Sequence, residues 1–424
     1  MNEYKDNNEQ ESNENKIVKD DELDMKEFTD AIHVFCNKEG DEEKLGNSIT
    51  YIASIISTYM QNESLRNEIS EILRENQFFY ILIEIIENEI DLPFIDMILK
   101  CIYLICNIPN HLESNDFEII FELSINILNN INDATIEGHI FMILYSCAKQ
   151  EFLHSFFDSS DFIKFLNKKL RLFNFKYIMN LCKRCCKFSN YSTIEFFKIM
   201  NKIIENEQFK RQKNVFRNAK LQYIKTIGSY ISRGYSELEF VDKSGLLRPI
   251  VNLADDFYLS ELLKIMKTIL ILGNERIYRH NLNLFGCEFI SNIINQQLSV
   301  EDSIVIFEVI DILFDKYSHT IQDFLINQRF ISFFNYIDTC YEVKLRVINV
   351  FLTMIMKLSV STAQNNFLNI LTPIFHDLSE DEEFMNKKKL KLAILKLLQN
   401  LDESNDNYDV LLEAAENIEV DLYK

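Results

Sequence analysis

The sequence contains no tryptophan, only 4 prolines and only 8 glycines in 424 residues. Glycine and proline together make up about 12% of an average protein, and they build most tight turns. Their scarcity argues against β-sandwiches and against α/β sheets with glycine-rich loops. Long apolar runs are missing too, since none approaches the roughly 18 residues that cross a bilayer. We therefore expect a soluble protein without a membrane span.

Motifs that carry chemistry are also absent. The sequence holds no glycine-rich phosphate loop, no G-x-S-x-G and no H-E-x-x-H. The segment LCKRCCKF contains Cys182, Cys185 and Cys186, but a structural zinc site needs a second pair of ligands and none follows. We expect no catalysis, no metal and no cofactor.

Acidic residues outnumber basic ones by 65 to 44, which gives a net charge of −21. An acidic chain repels phosphate, so we expect no direct binding of nucleic acid, and it suits a basic protein partner. The alternative is that the charge only keeps an apolar-rich chain soluble. The 9 cysteines are scattered through apolar runs, which predicts reduced, buried thiols in a cytoplasmic or nuclear protein.

Helical periodicity begins at Met25. Phe28, Ile32 and Phe35 recur every three or four residues and so share one helix face. The same spacing continues in the next helix, for which Asn47 or Ser48 is the predicted N-cap.

The helical pattern repeats along the chain. FISNIINQ begins at Phe289 and FISFFNYI at Phe330, 41 residues later; Phe162 precedes Phe330 by 168 residues, or four steps of 42. A purely helical pattern of this period is typical of armadillo and HEAT repeats. One interval is too long, and we interpret it as an enlarged loop near 205–218.

The predicted fold is all-α: a right-handed α-solenoid of armadillo/HEAT-type repeats with about nine or ten units. The repeat domain covers 25–424. It follows a disordered acidic tail over 1–24, a polar segment that cannot bury enough apolar surface to offset its ordering entropy.

The segment FVDKSGLLRPIVNL combines two rare residues, Gly245 and Pro249. Glycine can take a positive φ at a sharp turn, and proline in the first turn of a helix loses no hydrogen bond. We interpret DKSG as the turn and LLRPIVNL as the start of a core helix.

The stretch YIKTIGSYISRGYSELEFVDKSGLLRPIVNLA is similar to an armadillo unit of importin-α, and CIYLICNIPN resembles the end of another such helix. The resemblance implies an adaptor that binds basic nuclear-localisation peptides for nuclear protein import. In that family a ladder of Trp and Asn, four residues apart, lines an inner groove beside carboxylates. The aromatic rings hold lysine stems and the amides fix the peptide backbone.

The resemblance places peptide contacts at Tyr103 and Asn107, and further contacts at Tyr230 and Asn400, which stand at the Asn positions of two other pairs. The chain departs from the family because it has no tryptophan, and because Lys396 stands at the aromatic position paired with Asn400. Residues 1–30 carry 4 Lys and 11 Asp or Glu, so the basic segment that an importin-β-type carrier needs is missing.

The segment FKRQKNVFRNAK forms a basic loop with Lys210, Arg211, Lys213 and Arg217. It could dock acidic protein or phosphate, mimic a basic ligand, or be a solvated loop. Two functions follow from the sequence: an importin-α-like adaptor for extended basic peptides, or a general scaffold or regulatory subunit of another protein complex without a transport role. A concave acidic groove with aromatic and Asn side chains would favour the adaptor.

Overall fold

The computed structural model describes residues 25–424 except 89–92, 190–191, 248–249, 251–257, 286, 297, 318, 327–328, 338, 358–364, 383 and 420–424. Contacts divide the chain into unit 1, Met1–Ser192, and unit 2, Thr193–Lys424. The predicted tail over 1–24 lies outside the described residues. The described residues contain no β-strand.

Unit 1 consists of helices joined by short connections. Its helices are α1 Met25–Cys36, α2 Glu42–Tyr59, α3 Glu63–Glu75, α4 Phe78–Asn88, α5 Ile95–Ile105, α6 Ser114–Asn130, α7 Ala134–Cys147, α8 His154–Phe157, α9 Ser160–Lys169 and α10 Phe175–Cys185. A 3₁₀ turn, Glu151–Leu153, precedes α8.

Unit 2 has the same organisation. Its helices are α11 Thr193–Glu205, α12 Lys213–Ile231, α13 Tyr235–Lys243, α14 Leu259–Leu272, α15 Glu275–Phe285, α16 Cys287–Ile294, α17 Val300–Lys316, α18 His319–Ile326, α19 Tyr341–Lys357, α20 Asn365–Glu380, α21 Lys387–Leu398 and α22 Tyr408–Asn417. The 3₁₀ helices Phe209–Arg211 and Arg329–Tyr336 complete it.

One helix of each repeat packs on the equivalent helix of the next repeat, and we call these the core helices. In unit 1 they are α2, α5, α7 and α10; in unit 2 they are α12, α14, α17, α19 and α21. Each core helix is buried along one apolar stripe, as Ile98, Ile102 and Ile105 are in α5. A single repeat cannot bury that stripe alone, so stacking is what stabilises it.

Hydrogen bonds between neighbouring repeats join residues at the predicted period. Ser70 Oγ lies 2.7 Å from His111 Nδ1, 41 residues on, and in unit 2 Tyr278 OH lies 3.2 Å from Thr320 Oγ1, 42 residues on. The predicted all-α solenoid of armadillo/HEAT-type repeats is therefore confirmed. Some repeats have three helices, as in α3–α5, and others have two, as in α6–α7.

The turn at Gly245 is also confirmed. Gly245 has φ +70°, its N–H donates to Asp242 O, and the N–H of Leu246 donates to Val241 O. These two bonds close the end of α13 in a Schellman motif, which needs a left-handed residue at this position. The prediction for Pro249 lies outside the described residues. Helix α14, which begins at Leu259, packs on α12 as the core helix of the next repeat. Most of LLRPIVNL lies outside the described residues, so the predicted helix start there stays a prediction.

Two other boundaries differ from the prediction. α2 begins at Glu42, because Asp41 accepts a hydrogen bond from the N–H of Lys44 (3.0 Å) and serves as the N-cap. The predicted N-caps, Asn47 and Ser48, lie inside the helix. The prediction of an enlarged loop near 205–218 is wrong for residues 213–218, because these form the first turns of α12.

Candidate functional site

Three core helices of unit 1 line an open cleft of about 460 Å³, which we call the tyrosine groove. Helix α5 packs on α7, and α7 packs on α10. The cavity is lined by Tyr103 of α5, by Phe141, Met142 and Tyr145 of α7, and by Lys176, Tyr177 and Asn180 of α10. Its volume lies in the range of sites that bind small molecules or a few side chains.

The repeat itself positions two of the tyrosines. Tyr103 and Tyr145 each lie three residues before the C-cap of their helix, at Cys106 and Ala148. They are therefore equivalent residues of adjacent repeats, 42 positions apart. Tyr177 comes from the first turn of α10, where its ring lies against the backbone of α7 at Gly138.

Polar atoms in the groove have no partner within the described part of the chain. The hydroxyls of Tyr103, Tyr145 and Tyr177 and the side-chain amide of Asn180 form no hydrogen bond there. Burial and the neighbouring Tyr145 raise the pKa of Tyr103, so its hydroxyl stays protonated and can donate. Convergent polar groups around an apolar cavity are typical of binding sites.

The one charged side chain that lines the groove is Lys176, and Lys149 lies beside it. The Nζ of Lys176 lies 4.6 Å from the ring centre of Tyr177, and the Nζ of Lys149 lies 5.6 Å from that of Tyr145. Lys100 stands one helical turn before Tyr103, and Asp96 stands one turn before Lys100 on the same face of α5. Within the described residues, no carboxylate forms an ion pair with any of these lysines.

Arg184 is a second cation near Lys149. Burial, followed by the positive charge of Arg184, lowers the pKa of Lys149. The guanidinium of Arg184 is held at the end of α7 by a 3.2 Å bond from its Nε to Ala148 O. Two cations at one edge of the groove favour an anion there.

The core helices of unit 2 differ because their charges pair with each other. Glu308 of α17 lies 2.6 Å from Lys267 of α14 and 2.9 Å from Arg346 of α19. Lys357 is 2.9 Å from Asp315. These pairs join neighbouring repeats and neutralise one another, whereas Lys149 and Lys176 form no ion pair within the described residues.

The predicted contacts Tyr103 and Asn107 have different environments. Tyr103 lines the groove, but the amide of Asn107 is used within the protein. Its Nδ2 donates to Tyr103 O (2.7 Å) and to Ser146 Oγ (3.0 Å), and its Oδ1 accepts from Lys149. Asn107 therefore fastens the end of α5 to α7 and has no free donor for a peptide backbone.

The other predicted contacts lie in unit 2, outside the tyrosine groove. Tyr230 is buried, with its ring centre 5.6 Å from that of Phe197, and the guanidinium of Arg233 lies 5.0 Å above the ring. Asn400 donates from Nδ2 to Lys396 O (2.7 Å) at the end of α21.

The predicted basic loop is a helical surface. Lys210 and Arg211 lie in the 3₁₀ turn, where Lys210 pairs with Glu207. Lys213 and Arg217 are exposed on the first turns of α12.

Sequence reasoning missed Tyr145, Tyr177 and Asn180. Adding one repeat of 42 to Tyr103 would have found Tyr145, because the period preserves position within a repeat. Tyr177 and Asn180 are three residues apart on α10 and share a face, but no sequence motif singles them out.

Most of the described cysteines are buried, as the sequence predicts. Six are buried, namely Cys101, Cys106, Cys147, Cys182, Cys185 and Cys186, whereas Cys36 and Cys340 are half-buried. Burial raises the pKa of Cys147 to about 12, so it remains a neutral thiol. Among the described residues, no group of three or more His, Cys, Asp or Glu side chains could hold a metal ion. Nor does any helix of this part of the chain have the length and apolarity to cross a membrane.

Comparison with solved structures supports the fold. No protein-family model and no curated protein matches the sequence. An engineered protein superposes with a TM-score of 0.53 at 11% identity, covering 93% of this chain and 99% of that one. This likeness shows the fold alone.

Two further structures are similar at lower scores. A computationally designed armadillo repeat protein for modular peptide recognition matches 61% of this chain and 98% of its own, with a TM-score of 0.39 and 13% identity. Importin beta matches 92% of this chain and 53% of its own, with a TM-score of 0.45 and 11% identity.

Proposed function

We propose that this protein is a helical-repeat scaffold that binds an extended peptide segment of a partner protein in the tyrosine groove. The observation that carries the proposal is the set of unused polar groups there: the hydroxyls of Tyr103, Tyr145 and Tyr177 and the amide of Asn180. Hydrogen-bonding groups that line a cleft and have no internal partner are available to a ligand.

The dimensions suit a short extended segment. Packed helices lie 8–10 Å apart, so three core helices span roughly 20 Å. An extended chain rises about 3.3 Å per residue, so about six residues cross this distance. Asn180 would bond the peptide backbone, in the role that the importin-α resemblance assigns to Asn107, and the tyrosine rings would contact side chains.

Recognition of basic nuclear-localisation peptides for nuclear import is a second candidate. It is favoured by Tyr103, which lines the groove at the position that the resemblance gives to an aromatic residue, and by the net charge of −21. It predicts that a lysine-rich peptide binds and that binding weakens as salt rises, because salt screens exposed charges.

The experiment is selection of a phage-displayed library of random peptides on the full-length chain. We expect enriched sequences whose binding is lost in Tyr177→Ala and Asn180→Ala. A matched control is Tyr235→Ala, which removes an exposed tyrosine of α13 in unit 2. Selection of the same sequences by the wild type and both groove variants would refute the proposed function.

A further inference from the structure

We propose that the ligand of the tyrosine groove is an acidic peptide, an extended segment that presents Asp or Glu carboxylates to Lys176 and Lys149. This inference rests on the proposed function and adds the chemistry of the partner. The charge of this ligand is opposite to that of the basic peptide that the importin-α resemblance implies.

The preference for an acidic ligand follows from the residues that line the groove. The lining residues include one charged side chain, the exposed Lys176, and no carboxylate. Lys149 flanks the groove across the ring of Tyr145. Near these two lysines the local charge attracts an acidic ligand and repels a basic one.

The one carboxylate that is buried in these core helices lies out of a ligand's reach. Glu137 of α7 is fully buried; its Oε2 accepts a 2.8 Å hydrogen bond from Asn174 Nδ2, and its Oε1 lies 3.8 Å from the Nζ of Lys169. Because no part of Glu137 is exposed, it cannot meet a ligand's ammonium group. A basic peptide would place its lysines beside Lys176 with no carboxylate among the lining residues to meet them.

A bound carboxylate would also relieve an unfavourable contact. Lys149 and Arg184 repel each other at the edge of the groove, and each is held there by a bond to a neighbouring repeat. An anion between them converts this repulsion into two attractive interactions. Charge-assisted hydrogen bonds of this kind are about twice as strong as neutral ones.

Because side chains alternate along an extended peptide, one ligand can contact both the lysines and the apolar residues of the groove. Successive residues point to opposite sides, so carboxylates can meet Lys176 while apolar residues contact Met142 and Tyr103. We therefore choose three labelled peptides of equal length: alternating Glu–Leu, alternating Lys–Leu and alternating Ser–Leu.

The test measures fluorescence anisotropy of each peptide with the full-length protein at low and high salt. We expect Glu–Leu to bind most tightly and to weaken as salt rises. Lys176→Glu and Lys149→Glu should each reduce its affinity at least tenfold. The matched control, Lys168→Glu, reverses the same charge on the exposed face of α9 and should leave affinity unchanged.

The outcomes separate the two proposals. Tighter binding of Lys–Leu or Ser–Leu, abolished by Tyr177→Ala, would overturn the acidic specificity and leave the proposed function intact. Glu–Leu binding that neither Lys176→Glu nor Tyr177→Ala alters would place the peptide elsewhere and overturn both. Failure of all three peptides to bind a protein whose circular dichroism shows it folded would also overturn both.

Discussion

A Cβ atom added to Gly138 would lie 3.0 Å from Cε2 of Tyr177 and 3.2 Å from its hydroxyl oxygen. Gly138 is buried in α7, and Tyr177 comes from α10 in the next repeat. The missing side chain at Gly138 therefore lets the Tyr177 ring lie against the α7 backbone and face the groove.

Gly138→Ala should weaken peptide binding several-fold without removing any groove side chain. Alanine adds about 1 kcal/mol of helix stability over glycine, but displacing the ring costs about 1–3 kcal/mol. The free energy of unfolding should therefore change by no more than about 2 kcal/mol. Chemical denaturation and peptide anisotropy measure the two quantities.

The matched control is Gly228→Ala in α12. Its Cβ would lie 3.2 Å from Cγ1 of Ile265, a similar crowding in unit 2. We expect a comparable change in stability and unchanged peptide affinity. Equal affinities for the two variants would show that the position of Tyr177 does not matter.

Asn107→Ala and Asn180→Ala should have opposite effects. Asn107→Ala removes two hydrogen bonds to the next repeat, those with Ser146 and Lys149, so the free energy of unfolding should fall by about 1–3 kcal/mol while peptide affinity changes little. Asn180→Ala should leave stability within about 0.5 kcal/mol, as surface substitutions do, and reduce affinity. The reverse pattern would restore Asn107 as the peptide contact.

The buried pair Glu137 and Lys169 gives a stability prediction. Glu137→Met leaves Lys169 uncompensated among buried residues, and removing one partner of a buried ion pair costs about 3–5 kcal/mol. The double variant Glu137→Met/Lys169→Met should be more stable than either single variant. Urea denaturation of the four proteins measures this, and additive losses would contradict it.

His111 should make stability depend on pH. Burial, and secondarily the charge of Arg74, lowers the pKa of His111 from 6.5 to about 4. Between these values the unfolded chain binds a proton that the folded chain does not, so stability falls as pH falls from 6.5 towards 4. One such proton contributes up to about 1.4 kcal/mol per pH unit.

The comparison variant is His111→Asn, which keeps a polar group near Ser70. Unfolding free energies measured by urea denaturation across this range should decline less steeply in the variant. Parallel curves would show that His111 is not the group responsible.

The helices were predictable because helix formation depends on the local sequence. Their period was predictable because it recurs regularly along the chain. The apolar stripe of α1 at Phe28, Ile32 and Phe35 is buried as expected, and the 42-residue step reappears in inter-repeat hydrogen bonds. The start of α2 was not predictable, because Asp41, Asn47 and Ser48 are all good N-caps and only the chain's path selects Asp41. The basic segment at 213–218 has polar residues that suit a loop or a helix surface equally well.

The sequence by itself determined that this protein is a stack of helical repeats, since amphipathic helices of this period can bury their apolar faces only against one another. It also singled out Tyr103. Only the tertiary structure decided which polar groups are free. The amide of Asn107 meets Ser146 and Lys149 of the following repeat, whereas that of Asn180 has no partner in the described part of the chain. Availability for binding depends on neighbours about 40 residues away, which stacking brings into contact and no local pattern reveals.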